Sequence, residues 1–358
     1  MKKLRLILGD QLNREHSWYK EVHEDTTYVL MEMRQETDYV RHHIQKVVSF
    51  FVAMREMASD LRSDGHKVIY YKLDDAYNKQ DLVANLIELI DKYDIEKFEY
   101  QLPDEYRLDQ QLIKFCEDLD IDSKAYDTQH FLTVRDDLET FFAEKKTYLM
   151  ESFYRDMRKR YDIMMDDGQP VTGQWNYDAS NRKKMPKKHV PPQPFLLSRD
   201  VSDIVSMIKK AGVDTMGTIE PREFFWPINP EESEEALAYF VDNLLIHFGD
   251  FQDAMTPEYW SLYHSRLSFA MNVKIISPLK VVNAAIQKWE DKENRNRAKH
   301  CQNTTQLGRD QHDVRKRNAN IKRNRAQYGV ERKEIPFWHN VRWRHQWIGG
   351  DIIICMSQ

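Results

Sequence analysis

Across the first 130 residues, short runs rich in branched and aromatic side chains alternate with helix-patterned segments, and few folds accept that alternation. Leu4 to Leu8 and Thr27 to Met33 read as buried strands, and His66 to Leu73 and Lys97 to Leu102 repeat the pattern. Between them Tyr39 to Arg62, Asp81 to Tyr93 and Asp104 to Leu119 carry apolar residues at helical spacing, with Asp64-Gly65 closing the first. Strand, helix, strand in this order predicts an α/β fold with a doubly wound parallel sheet. From about Glu139 the pattern turns helical: Leu149 to Tyr161, Glu231 to Phe248, Ser261 to Asn272 and Pro278 to Trp289 are the predicted helices of an all-helical part.

A chain of 358 residues with 41% hydrophobic content is long enough for about two domains. The expected division is an α/β domain over 1–135, an interdomain helix and loop over 136–200, the first part of a helical domain over 201–290, and a basic tail over 291–358. No apolar stretch approaches the roughly 20 residues of a membrane span, so no membrane partner is expected, and Met-Lys-Lys leads straight into a strand run, which suits a cytoplasmic protein. Cys116, Cys301 and Cys355 are too widely spaced for a metal-ligand motif, so neither a zinc site nor an iron–sulfur cluster is expected from this chain.

The net charge of −5 is unevenly spread: residues 291–358 carry +8 and residues 1–290 carry −13. Contact with nucleic acid would therefore have to use a local basic surface or the tail. The stretch from Gly173 to Lys183, followed by Met185 to Pro192, lacks any apolar period. It nonetheless holds Trp175, Asn176, Tyr177, Arg182 and Lys183, which reads either as a solvated linker or as an ordered loop able to stack on a nucleotide and contact phosphates.

In an open parallel sheet, ligands sit outside the carboxyl ends of the strands. Gly9-Asp10-Gln11 falls at such an end, and Glu36, Tyr39 and His43 follow the second strand, with Tyr39 and His43 expected on one helical face at i and i+4. No G-x-G-x-x-G fingerprint is present, so a dinucleotide clamp is not expected here. The group could hold a smaller heterocycle, or Asp10 could be a capping residue and Tyr39 part of the core. A second constellation runs from Tyr263 to Asn272. Ser265 and Ser268, flanking Arg266 at a helix opening, could present donors to a diphosphate or simply cap the helix.

Taken in order, Leu6-Ile7-Leu8-Gly9-Asp10-Gln11-Leu12, then Glu36, Tyr39 and His42-His43, then Met150 to Arg158, Gly173 to Arg182, Phe248-Gly249 with Gln252 to Met255, and His264 to Asn272 resemble the deoxyribodipyrimidine photolyase-related proteins, the bacterial iron–sulfur cryptochromes and (6-4) photolyases. The resemblance covers roughly residues 1–287. It implies a photolyase antenna-like α/β domain holding 6,7-dimethyl-8-ribityllumazine, lined by Gly9, Asp10, Glu36, Tyr39 and His43. It also implies a helical domain holding FAD, with His264, Ser265, Leu267, Ser268 and Asn272 along its first edge. Trp175, Asn176, Tyr177, Arg182 and Lys183 would lie beside UV-damaged DNA. The implied function is light-driven repair of pyrimidine photoproducts or blue-light sensing. The residues that would act in catalysis are not assigned.

After Trp289 the resemblance stops. Lys292 to Arg297, Asn318 to Arg325 and Trp338 to His345 read either as a basic, aromatic arm for nucleic acid or as the product of an interrupted or frame-shifted gene. The abrupt change in mid-domain favours the second, and with it an incomplete FAD-type domain and impaired activity. A non-catalytic chromophore-binding protein and a nucleic-acid-binding accessory protein are the alternatives.

Overall fold

In the computed structural model, the structure describes residues 1–171, 173–175, 183–186, 188–251 and 253–291. The tail over 291–358 lies almost wholly outside this set, as do Asn176, Tyr177, Arg182, Gln252, Cys301 and Cys355. The predicted strands all form: β1 (Lys3–Leu6), β2 (Thr26–Met31), β4 (Lys67–Tyr71) and β5 (Lys97–Gln101). An additional strand, β6 (Asp122–Tyr126), completes a five-stranded parallel sheet in the order β4-β2-β1-β5-β6. Its sequence, Asp-Ser-Lys-Ala-Tyr, carries no apolar pattern because it is an exposed edge paired only with β5.

Alternation along the central strands divides their side chains between two layers. Leu4, Leu6, Val29, Met31, Phe98 and Tyr100 pack with the apolar faces of α3 (Leu82–Tyr93) and α4 (Tyr106–Glu117). Burial of each such aliphatic side chain is worth about 1.5–3 kcal/mol. On the opposite face, Tyr28 and Leu30 meet α2 (Ile44–Ser63). Helix α2 is buried along most of its circumference, from Val47 and Val48 to Met54, Met57 and Leu61, because the helical part of the chain covers its far side.

The predicted helix from Tyr39 to Arg62 is divided. A short helix α1 (Arg34–Asp38) ends at Tyr39, the two-residue strand β3 (His42–His43) pairs with β9 (Thr215–Met216), and only then does α2 begin, capped by His43. The strand pairing takes the backbone that a continuous helix would have used. Tyr39 and His43 therefore do not share a helical face.

Helices α5 (Asp137–Phe142) and α6 (Met150–Arg160) and a small hairpin of β7 (Met165–Asp166) and β8 (Gln169–Pro170) lead to the helical part. Helix α7 (Ser202–Lys210) packs on α2. The predicted helix Glu231 to Phe248 forms as α8 (Pro230–Tyr239), a π-helical turn over Phe240–Leu244, and α9 (Leu245–Phe251). Gly249 lies buried inside α9 rather than ending it. Of Ser261 to Asn272 only α10 (Ser268–Asn272) is helical, since Leu262 and Arg266 adopt positive φ and reverse the chain. Helix α11 spans Pro278–Asp291. Among the described residues, no helix is long and apolar enough to cross a membrane.

Candidate functional site

The carboxyl ends of β1, β2 and β5 open into a cavity of about 120 Å³. The sheet order changes direction between β1 and β5, and loops leaving such a switch point diverge and leave a crevice. Gly9 and Asp10 come from the loop after β1, Glu36 from α1, and Asp104 and Glu105 from the loop after β5. Helix α2 contributes Lys46, Phe50 and Met54, and the helical part contributes Asn272. Gly9 serves packing here rather than backbone freedom. A Cβ at this position would stand 3.0 Å from Met54 Sδ and 3.2 Å from Phe50 Cδ1.

The rim is held by ion pairs. Arg107 Nη2 donates to both Glu36 oxygens, at 3.0 and 2.8 Å, while its guanidinium lies 4.8 Å from the centre of the Tyr39 ring. Glu105 caps α4, accepting from the backbone N–H groups of Arg107 and Leu108. Lys274, fully buried, places Nζ 2.8 Å from Asp104 and 3.3 Å from Asp10. Across the cavity Lys46 Nζ sits 3.2 Å from His42 Nδ1.

Burial dominates the ionisation of these groups. It raises the Glu36 carboxyl, opposed by Arg107, and raises Asp10, assisted by the nearby Asp104. Burial lowers Lys46 well below its ordinary value despite Glu36 and Asp10, and burial together with the Lys46 charge lowers His42 to about 3. Lys274 is the exception: burial pulls it down, but Asp10 and Asp104 together outweigh burial and raise it. The cavity thus joins a carboxylate-rich side, suited to accepting hydroxyl or ring N–H groups, to a side of methionine and phenylalanine that suits a planar ring.

Of the residues named from sequence, Gly9, Asp10 and Glu36 line this cavity. Tyr39 stands behind it, under Arg107 and edge-on to His42 at 5.2 Å. His43 instead accepts from the Gln45 N–H at 3.2 Å and faces Gly217, while the neighbouring His42 reaches the wall. Sequence reasoning missed Lys46, Asp104 and Lys274. The signal for Lys46 was its i+4 spacing from His42, and the signal for Lys274 was a lone cation inside the apolar run Val273 to Ile276.

The residues named in the second constellation are not gathered at one place. His264 and Ser265 line a cavity of about 20 Å³ in the helical part, Leu267 is wholly buried in the core, Ser268 opens α10, and Asn272 belongs to the sheet-end cavity. Arg266 packs among aromatic side chains. Its guanidinium lies 4.8–5.0 Å from the rings of Phe225, Trp226 and Trp260 and donates to the Phe195 carbonyl at 2.7 Å. Trp175 is likewise engaged, with Arg155, Lys159 and Arg158 of α6 at 5.0, 5.5 and 5.6 Å from its ring. Lys183 pairs with Asp250 at 2.9 Å.

The family model of the deoxyribodipyrimidine photo-lyase-related proteins matches residues 5–224, the segment that contains the sheet and nearly all of the cavity. The chain belongs to this family. Among curated proteins, a (6-4) photolyase of Agrobacterium fabrum is 32% identical over 294 residues, covering 81% of this chain and 58% of that protein. An uncharacterised protein of Acanthamoeba polyphaga mimivirus is 26% identical over 154 residues, covering 42% of this chain and 76% of the viral one. Among solved structures, a bacterial class III photolyase from Agrobacterium tumefaciens matches with a TM-score of 0.50 at 14% identity, over 87% of this chain and 57% of that one. This photolyase-related chain therefore spans somewhat more than half the length of the photolyases it matches.

Proposed function

We propose that this photolyase-related chain binds a light-absorbing heterocycle in the sheet-end cavity and works in photolyase- or cryptochrome-type photochemistry. The observation that carries the reading is the position of that cavity: it lies at the β1/β5 switch point inside the family-matching segment, with carboxylates on one side and soft apolar groups on the other. The donor set fits 6,7-dimethyl-8-ribityllumazine. Asp10, Asp104 and Glu36 would accept its ribityl hydroxyls, and Met54 and Phe50 would face the ring and exclude water. The bound chromophore supplies light absorption, and this chain's residues supply orientation and a dry wall.

FAD, which the family resemblance implies for the helical part, belongs to the second reading below; there His264, Ser265 and Arg266 line a cavity of about 20 Å³. The chromophore reading uses the sheet-end cavity alone.

The similarity to a (6-4) photolyase favours a second reading, light-driven repair of UV photoproducts in DNA by the whole protein. Arg155 and Lys159 beside Trp175 offer a cationic surface for a phosphate backbone.

Reconstitution separates the two. The purified chain, titrated with the lumazine, is expected to bind it saturably with a shifted absorption band, and absence of binding refutes the chromophore reading. Blue-light-dependent loss of (6-4) photoproducts from irradiated duplex DNA supports the second reading, and salt-sensitive DNA binding without light dependence points to an accessory role.

A further inference from the structure

Three backbone and side-chain contacts tie the end of α10 to the cavity. Asn272 is on the cavity wall, the Val273 carbonyl accepts the Leu12 N–H at 2.9 Å, and Lys274 Nζ donates to the Asp10 carbonyl at 2.7 Å as well as pairing with Asp10 and Asp104. Lys274 does this from φ +68, a backbone region that a lysine keeps only when its surroundings hold it there. The lysine also lies fully buried, with the Phe131 ring 5.6 Å from its ammonium. A strained, buried lysine that reaches across to two cavity-lining carboxylates is more than filler.

Resting on the ligand reading above, we propose that Lys274 is a positioning residue that makes the cavity a site shared by both parts of the chain. Its ammonium, 2.8 Å from Asp104 and 3.3 Å from Asp10, opposes the rise that burial and Asp104 impose on Asp10 and fixes both carboxylates as acceptors for a ligand's hydroxyl groups. Without it, two carboxylates that now face one ammonium would be left without their common counter-charge, and once ionised they would repel and splay the wall. Binding of a polyhydroxylated heterocycle and docking of residues 268–274 thereby strengthen each other, since coupling between two sites is reciprocal. The other titratable groups facing this wall are Glu36, Glu105, Arg107, Lys46 and His42, and they are common to the wild type and the variants below.

Fluorescence titration with 6,7-dimethyl-8-ribityllumazine at pH 5.5 and pH 8 tests the proposal on the full chain. Lys274→Met is expected to bind at least about tenfold more weakly than wild type at pH 8 and to recover part of that loss at pH 5.5, because protonation relieves the repulsion between the two carboxylates. General loosening of the fold would weaken binding at both pH values alike. Asp104→Asn, which leaves one carboxylate facing the ammonium, is expected to bind about threefold more weakly with no recovery at low pH, and it decides the matter if Lys274→Met does not fold. Amide hydrogen exchange of residues 268–273 should slow on adding the lumazine to wild type and not to Lys274→Met. If wild type binds no lumazine, the ligand reading fails and the proposal with it. If wild type binds and both variants match it at both pH values, the proposal alone is overturned.

Discussion

The sheet-end cavity and the small cavity beside His264 are both lined by buried polar side chains, yet one keeps about 120 Å³ open and the other about 20 Å³. The difference lies in where the cations sit. At the sheet end, Arg107 and Lys274 are drawn to the rim by Glu36, Asp10 and Asp104, so charge pairing holds the walls apart. In the helical part, Arg266 lines the small cavity with its guanidinium 4.8–5.0 Å from the rings of Phe225, Trp226 and Trp260. Here carboxylate partners on divergent loops accompany the open cavity, and aromatic partners accompany the narrow one.

The largest test of this contrast removes the packing around Arg266. Trp226 is 1% exposed and donates from Nε1 to Gln45 Oε1 at 3.0 Å, so Trp226→Ala should cost about 3–5 kcal/mol in chemical denaturation and enlarge the space beside His264. A loss below about 1 kcal/mol would show that the aromatic box is not what closes that region.

Next in size is a pH effect confined to the sheet end. His42, lowered to about 3 by burial and by Lys46, is neutral in the fold and becomes protonated near its ordinary value once unfolded. Its contribution is complete above about pH 6.5 and is lost as pH falls toward 3, a change of about 4–5 kcal/mol at about 1.4 kcal/mol per pKa unit. His42→Gln should flatten the stability profile across that window. Raised carboxylates such as Asp10 and Glu36 act with the opposite sign, losing stability as pH rises through their folded values, so the comparison with the variant isolates the histidine.

Breaking one rim pair comes third. Arg107→Met leaves Glu36 facing the cavity without its ion-pair partner, and about 1–2 kcal/mol should disappear from thermal or denaturant stability because both groups are partly exposed. Gly217→Ala is comparable or slightly smaller. At φ +76 its new Cβ would lie 1.8 Å from His43 Nε2, so the ring that caps α2 must move, at about 1 kcal/mol or more. Smallest is Glu151→Ala, which removes an exposed i,i+4 pair with Arg155 and should change stability by no more than about 0.5 kcal/mol.

The α/β part was legible in the sequence because Leu4, Val29 and Phe98 mark strands buried on both faces. β6 was not, since an exposed edge strand has no pattern to show. The break at Tyr39 to His43 was hidden for a different reason: apolar spacing continues through it, and only pairing with the distant Thr215–Met216 strand interrupts the helix. Similarly, Gly9, Asp10 and Glu36 were found because strand ends announce them, whereas Asp104 and Lys274 lie 94 and 264 residues from Asp10 and meet it only in the folded chain. Ser265 and Ser268 looked like one helix opening until the positive φ of Arg266 separated them.

The central claim is that the sheet-end cavity is the ligand site, and filling it is the most direct test. In Gly9→Val the added side chain would meet Met54 and Phe50 within the space a ring needs. Titration with 6,7-dimethyl-8-ribityllumazine should give saturable binding to the wild-type chain and none to a folded Gly9→Val variant. Equal binding by both proteins would place the ligand elsewhere and contradict the account.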